Sequence, residues 1–213
     1  MPLMFYKTAY HMMPKAFTHV TPMQGQWWMH ELASVHTSAT IFPGVYIGPN
    51  VTVSEGCVIG PNTCIGQPGF GYNTLEDGTR EYRDHSQGVL LEADVHVGAN
   101  TCIDQGRHRR TEIGAGTRID NLVHIAHNVI IGKRCLIIAH TMLGGSVTIG
   151  DDAHIAPGSL IRDWRNVGAN ATSGLGAVVI TDIPDGETHA GNPARNLEVP
   201  NDRQRNRLGR TLP

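Results

Sequence analysis

Large aliphatic side chains recur along this chain at every sixth residue. Stepping by six from Val35 gives Ile41, Ile47, Val53, Ile59 and Ile65. After a gap the series resumes at Leu91, Val97 and Ile103. It restarts at Ile113 and runs through Ile119, Ile125, Ile131, Ile137, Leu143, Ile149, Ile155, Ile161, Val167, Ser173 and Val179. Twenty of these 21 positions are Val, Ile or Leu. Neither a helical period of about 3.6 nor plain strand alternation fits that spacing. Four residues after each aliphatic a small or β-branched residue is usual, as at Val51, Thr63, Thr101, Thr117, Val129, Cys135, Ala153 and Ala171. Three after it stands Asn or Gly in many hexads, at Asn50, Asn62, Asn100, Gly116, Asn128, Gly158 and Asn170. Those residue types enter left-handed backbone at low cost. Each hexad therefore reads as a short strand followed by a sharp corner, with large and small residues together filling a narrow interior.

Two interruptions break the period. Between Ile65 and Leu91 lie 20 residues beyond one hexad step, including Phe70, Tyr72, Arg80, Tyr82, Arg83 and His85. Long insertions in compact repeats are commonly functional. This aromatic and charged mixture predicts a hairpin-like loop leaning on a neighbour. The second interruption adds four residues within Asp104–Glu112 and contains Arg107, His108, Arg109 and Arg110.

Composition agrees with the repeat. The chain has 213 residues and 25 glycines, well above the usual ~7%. Charged residues are 17% and the formal net charge is −2, which gives no global reason to expect a nucleic-acid partner. No apolar run approaches the ~20 residues of a membrane span. Met1–His30 lacks a charged start followed by an apolar stretch, so no secretory signal is expected. Cys57, Cys64, Cys102 and Cys135 form no CxxC pair and read as reduced thiols of a cytoplasmic protein.

The hexads resemble the hexapeptide-repeat acyltransferases, whose fold is a left-handed parallel β-helix with three hexads per 18-residue coil. The resemblance implies an all-β protein of about seven such coils over 35–184, with a long inserted loop at 71–90. Residues 1–34 and 185–213 are then short N- and C-terminal caps. The segments Gly69-Phe-Gly-Tyr72, Val89–Gly106 and Ile119–Asn128 look like UDP-3-O-acylglucosamine N-acyltransferase of lipid A synthesis, interruptions included. Three departures stand out. Only about 34 residues precede the coils, where that enzyme has a uridine-binding domain. Its acidic stretch after Asp-x-Gly is Arg107-His-Arg-Arg110 here. Its second histidine falls at Trp164. The segment Ser173–Gly186 with Ala190-Gly-Asn-Pro-Ala-Arg195 is instead similar to the coenzyme A-dependent sugar acetyltransferases of the same superfamily, in which this end wraps the cofactor.

These likenesses imply the chemistry. His127 in Ile-Ala-His-Asn matches the family's catalytic base, and neutral imidazole accepts a proton near pH 7. Gly145 lies one 18-residue coil beyond it and matches the oxyanion glycine, its N–H open to close approach. Asp120 matches an acidic residue that orients the histidine, although a turn aspartate reads equally well. Acetyl-CoA is the expected donor, with Trp164, Gly174, Ala177 and Arg195 as cofactor contacts. Arg203, Arg205, Arg207 and Arg210 suit coenzyme A phosphates, an acidic acyl carrier protein or bare solvent. Tyr72, His85 and Asn128 are candidate contacts to a nucleotide-linked amino sugar of lipopolysaccharide or O-antigen type. The family forms homotrimers with sites between prisms. A carrier-protein-dependent N-acyltransferase and a non-catalytic scaffold are the alternatives. A zinc site of the γ-carbonic anhydrase kind is not expected, because the gaps between His124, His127 and His140 do not fit its ligand spacing.

Overall fold

The computed structural model describes residues 20–23 and 26–197, and the described chain is all β. It is a left-handed parallel β-helix with three flat faces. The first face stacks strands that include Trp27–His30, Tyr46–Ile47, Cys64–Gln67, Cys102–Asp104, His124–Ile125, Met142–Leu143, Leu160–Ile161 and Val178–Val179. The second face includes Val51–Val53, Val89–Leu91, Thr111–Ile113, Ile130–Ile131 and Thr148–Ile149. The third includes Val58–Ile59, His96–Val97, Arg118–Ile119 and Leu136–Ile137.

The register explains the period of six. Ile125 pairs with Leu143, one coil on, and Ile119 pairs with Ile137. Each aliphatic thus lies above and below its own kind. Ile47, Ile65, Ile103, Ile125, Leu143 and Ile161 are all fully buried in one column. The small corner residues complete the interior. Corner threonines keep their hydroxyls satisfied by donating across to carbonyls, Thr63 to Gly98 at 2.6 Å and Thr101 to Asp120 at 2.9 Å.

The asparagines at the corners are left-handed, with φ of 57° at Asn50, 58° at Asn62 and 61° at Asn128. The glycine that often follows the aliphatic has a different cause. A Cβ on Gly114 would sit 2.5 Å from the backbone carbon of Gly132, so its absence lets successive coils approach.

The solenoid is longer than the aliphatic pattern implies. The first and third faces hold nine strands each, against about seven expected coils. Trp27–His30 and Thr188–Ala190 join the faces through backbone pairing while carrying few aliphatics, so the hexad rule passes over them. Parts of both expected caps are therefore strands of the solenoid. Each end carries one antiparallel strand, Val20–Met23 and Arg195–Asn196, which covers an edge that would otherwise be open. Residues 1–19, 24–25 and 198–213, with Arg203, Arg205, Arg207 and Arg210, lie outside the described residues.

The long insertion is a hairpin, Tyr72–Thr74 paired with Arg80–Tyr82. It leaves the corner between the first and second faces and folds back over it.

Candidate active site

His127 stands at that same corner, between strands His124–Ile125 and Ile130–Ile131. Gly145 occupies the equivalent place one coil on, and the neighbouring Ser146 N–H donates to the His127 carbonyl at 2.9 Å. The imidazole packs against Gly145. A Cβ there would come within 2.7 Å of Cε1 and 2.9 Å of Nε2. The hairpin closes the other side. A Cβ on Gly69 would come within 3.0 Å of the His127 Cβ. His85 packs its ring on His127 with centroids 4.8 Å apart, and Tyr82 Oη sits 3.0 Å from His85 Nδ1. A Cβ on Gly71 would meet His85 Cε1 at 2.8 Å, so the site depends on glycines at three positions, Gly69 and Gly71 in the loop stem and Gly145 in the next coil.

Asn128 determines how the imidazole is presented. Its Oδ1 accepts from the backbone N–H groups of Arg107, at 2.7 Å, and His108, at 3.0 Å. Two donors on that oxygen fix the amide's orientation. Its Nδ2 must then face His127 Nδ1, 2.8 Å away, with Ser146 Oγ at 3.4 Å. An amide nitrogen only donates, so Nδ1 accepts and neutral His127 carries its proton on Nε2.

The cleft in front of the ring encloses about 250 Å³ and is lined by Phe70, Arg83, Arg107, His108, Gly145 and Trp164, among others. Burial holds His127 below the ordinary 6.5, and the nearby His108, Arg107, Arg83 and His124 push it the same way. Burial also lowers His85, and His127 adds to the effect. Both rings are therefore neutral at pH 7, where His127 can handle a proton.

A family model described as the bacterial transferase hexapeptide, six repeats, matches residues 38–67 and 110–145. Over those residues the chain carries the hexapeptide repeat that this model describes. It is 39% identical over 134 residues to a UDP-3-O-acylglucosamine N-acyltransferase of a Caulobacter species, covering 63% of this chain and 39% of that protein. An Arabidopsis thaliana protein named probable UDP-3-O-acylglucosamine N-acyltransferase 2, mitochondrial, is 39% identical over 145 residues, covering 68% of this chain and 48% of its own length. The chain thus spans less than half the length of these curated relatives. Among solved structures, a UDP-N-acetylglucosamine acyltransferase from Bacteroides fragilis superposes with a TM-score of 0.61 at 22% identity, covering 86% of this chain and 78% of that one. That likeness shows the fold.

The remaining candidates are distributed unevenly over this hexapeptide-repeat solenoid. His127, Gly145, His85, Asn128 and Trp164 converge on the cleft. His85 and Asn128 are buried there, 1% and 2% exposed, and support the imidazole. Tyr72 stays on the hairpin, edge-on to Phe70 and Tyr82, outside the cleft lining. Asp120 sits at the corner between the third and first faces. Its carboxylate accepts from the N–H groups of Asn121 and Ala139, so within one chain it does not reach His127. Gly174 and Ala177 share that other corner. Ala177 is fully buried and points inward, so its side chain offers a ligand no surface, and Gly174 packs on Ala190. Arg195 is exposed on the terminal antiparallel strand.

Among the described residues no group of three or more His, Cys, Asp or Glu side chains is arranged to hold a metal, and no helix is long and apolar enough to cross a membrane. Arg83 and Phe70 also line the cleft; the sequence places both in the insertion, and Phe70 in the Gly69-Phe-Gly-Tyr72 segment, without giving either a role in the site. Their signal was the insertion itself, which leaves the corner that bears His127.

Proposed function

We propose that the chain is an acyltransferase that moves an acyl group from a thioester to an amino group of a sugar, with His127 handling the proton. The observation that carries this reading is the packing of a neutral, orientated imidazole against Gly145 at one corner of the prism. Among the described residues, no acceptor takes the Gly145 N–H. It can stabilise the tetrahedral oxyanion, a contact worth about 3 kcal/mol in a preorganised site. As the acceptor nitrogen bonds to the thioester carbon, its proton passes to Nε2. As the C–S bond breaks, the imidazolium returns that proton to sulfur. For Nε2 to accept, the ring proton must first sit on Nδ1. There it opposes the Asn128 amide, at a cost of about 1–3 kcal/mol for a buried donor left unpaired.

The names of the curated relatives support an amino sugar acceptor carried on a nucleotide. The likeness of 173–195 to sugar acetyltransferases supports acetyl-CoA as donor, and we place the protein as a homotrimer acting on that sugar in lipopolysaccharide or O-antigen assembly. The wide separation of Gly174 and Arg195 from the His127 corner fits a cofactor that lies between prisms. An acyl carrier protein is the competing donor. Offering acetyl-CoA and a hydroxyacyl carrier protein together with a UDP-amino sugar, and weighing the product by mass spectrometry, separates the two. An acetylated product supports the reading. A hydroxyacyl product moves it to the lipid A type, and no product with either donor returns the chain to a scaffold role.

A further inference from the structure

The cleft around His127 is cationic in a chain of net charge −2. Arg83 reaches it from the hairpin, and Arg107 and His108 reach it from the four-residue excursion. None of these three has a carboxylate within ion-pair distance among the described residues. Arg83 gives one bond to the Tyr72 carbonyl at 3.2 Å, while its Nε is buried without an acceptor. Arg107 Nη1 lies 3.2 Å from His108 Nε2. The one acid lining the cleft, Asp163, lies 3.6 Å from Arg162.

The excursion is also built rather than loose. Asn128 Oδ1 takes two of its backbone N–H groups, Arg109 Nε donates to the Asn128 carbonyl at 3.0 Å, and Gly106 has no room for a Cβ beside the Arg109 carbonyl. Arg107 Nη1 can only donate, so His108 Nε2 accepts from it, and the unpaired charges are the two guanidinium groups. Holding Arg83 and Arg107 rigidly beside a proton-handling imidazole is costly, and an anionic ligand offsets that cost.

We infer that the acceptor carries an anionic group, carboxylate or phosphate, close to its acyl-accepting atom, and that Arg83, Arg107 and His108 bind it. This rests on the acyl-transfer reading and deepens it. The phosphates of coenzyme A do not fit the role, because the pantetheine arm holds them farther from the thioester than a cleft of this size spans. Beside it a second cleft runs onto the second face, past Arg109, Thr148, Trp164 and Asn166, with room for the rest of the acceptor. The groups facing His127 are His85 and Arg83 from the hairpin, Arg107 and His108 from the excursion, His124 from its own strand and Asp163 two coils on. Arg83 and Arg107 carry fixed positive charge, His124 lies 3.9 Å from the buried Asp104 carboxylate, and Asp163 is drawn toward Arg162. A bound anion therefore relieves His127 and strengthens it as a base when substrate is present.

The test uses the whole protein without a thioester. Inorganic phosphate and acetate are titrated in turn at fixed ionic strength, and the His127 ring is followed by NMR, in the wild type and in Arg107→Gln. The Arg107 side chain takes no part in the excursion's backbone bonds to Asn128, so the variant keeps the loop. The expected result is saturable binding of at least one anion, an upward move of His127 titration on binding, and about tenfold weaker binding in the variant. Stronger binding of phosphate or of acetate identifies the group. Equal affinity in the two proteins, or binding that leaves His127 unmoved, overturns the inference. The acyl-transfer reading stands or falls separately, on product formation.

Discussion

Replacing Asn128 by Asp tests the site's internal logic. The carboxylate keeps an oxygen for the Arg107 and His108 N–H groups and turns the other from a donor into an acceptor toward His127 Nδ1. In the wild type the Nδ1–H form leaves two donors opposed at 2.8 Å. At about 1–3 kcal/mol for the unpaired donor, the Nε2–H tautomer is preferred roughly 5- to 150-fold. In Asn128→Asp the preference inverts, and the added negative charge raises the His127 pKa. Long-range ¹H–¹⁵N correlation spectra report the two tautomers directly. The wild type should show Nε2 protonated above the titration, and the variant Nδ1. A wild-type spectrum with the proton on Nδ1 refutes the orientation deduced for Asn128. If the spectra behave as expected, the variant should also transfer acyl groups with its acid limb at higher pH.

Other outcomes follow from the same geometry. Transfer should need neutral His127, whose pKa is depressed, so the acid limb of kcat/KM should lie below pH 6.5 and move upward in Arg107→Gln. Protonation of His85 and His127 is likewise resisted by the fold. Their contribution to stability is full above about pH 6.5 and is lost as pH falls from there toward their folded pKa values, which urea melts across that range would show. Gly145→Ala should displace the imidazole, because the new Cβ would meet Cε1 at 2.7 Å, and transfer should fall by about 10² or more with the melting temperature little changed. Ile125→Ala should cost about 2–5 kcal/mol in chemical denaturation, since Ile125 is fully buried within a continuous column. Trp164 holds φ of 59° with 64% of its surface exposed; Trp164→Asn should stabilise the fold by about 1 kcal/mol while weakening acceptor binding.

Periodicity made the interior and the corners legible. Ile125 and Asn128 each sit where the hexad places them, because backbone pairing ties every residue to its counterpart one coil away. The same rule located Gly145 from His127. It failed where pairing proceeds without aliphatics, at Trp27–His30 and Thr188–Ala190, and so left the solenoid short. It could not place the hairpin, whose docking depends on Gly69 and Gly71 clearing space for His85. Resemblance named Asn128 as a substrate contact, yet its amide is consumed by Arg107, His108, His127 and Ser146. Only coordinates reveal that, because the partners lie in three separate segments. Asp120 and Ala177 were assigned by motif without regard to which corner of the prism they occupy, and corner identity follows from counting hexads through both insertions.

The central claim is that this corner performs acyl transfer through His127. The most direct measurement is product formation by purified wild type and His127→Ala, from an acyl thioester and a UDP-amino sugar, with the variant's fold verified by circular dichroism. A fall of about 10²–10⁴-fold in a folded variant is the predicted result. Undiminished transfer by the variant would contradict it.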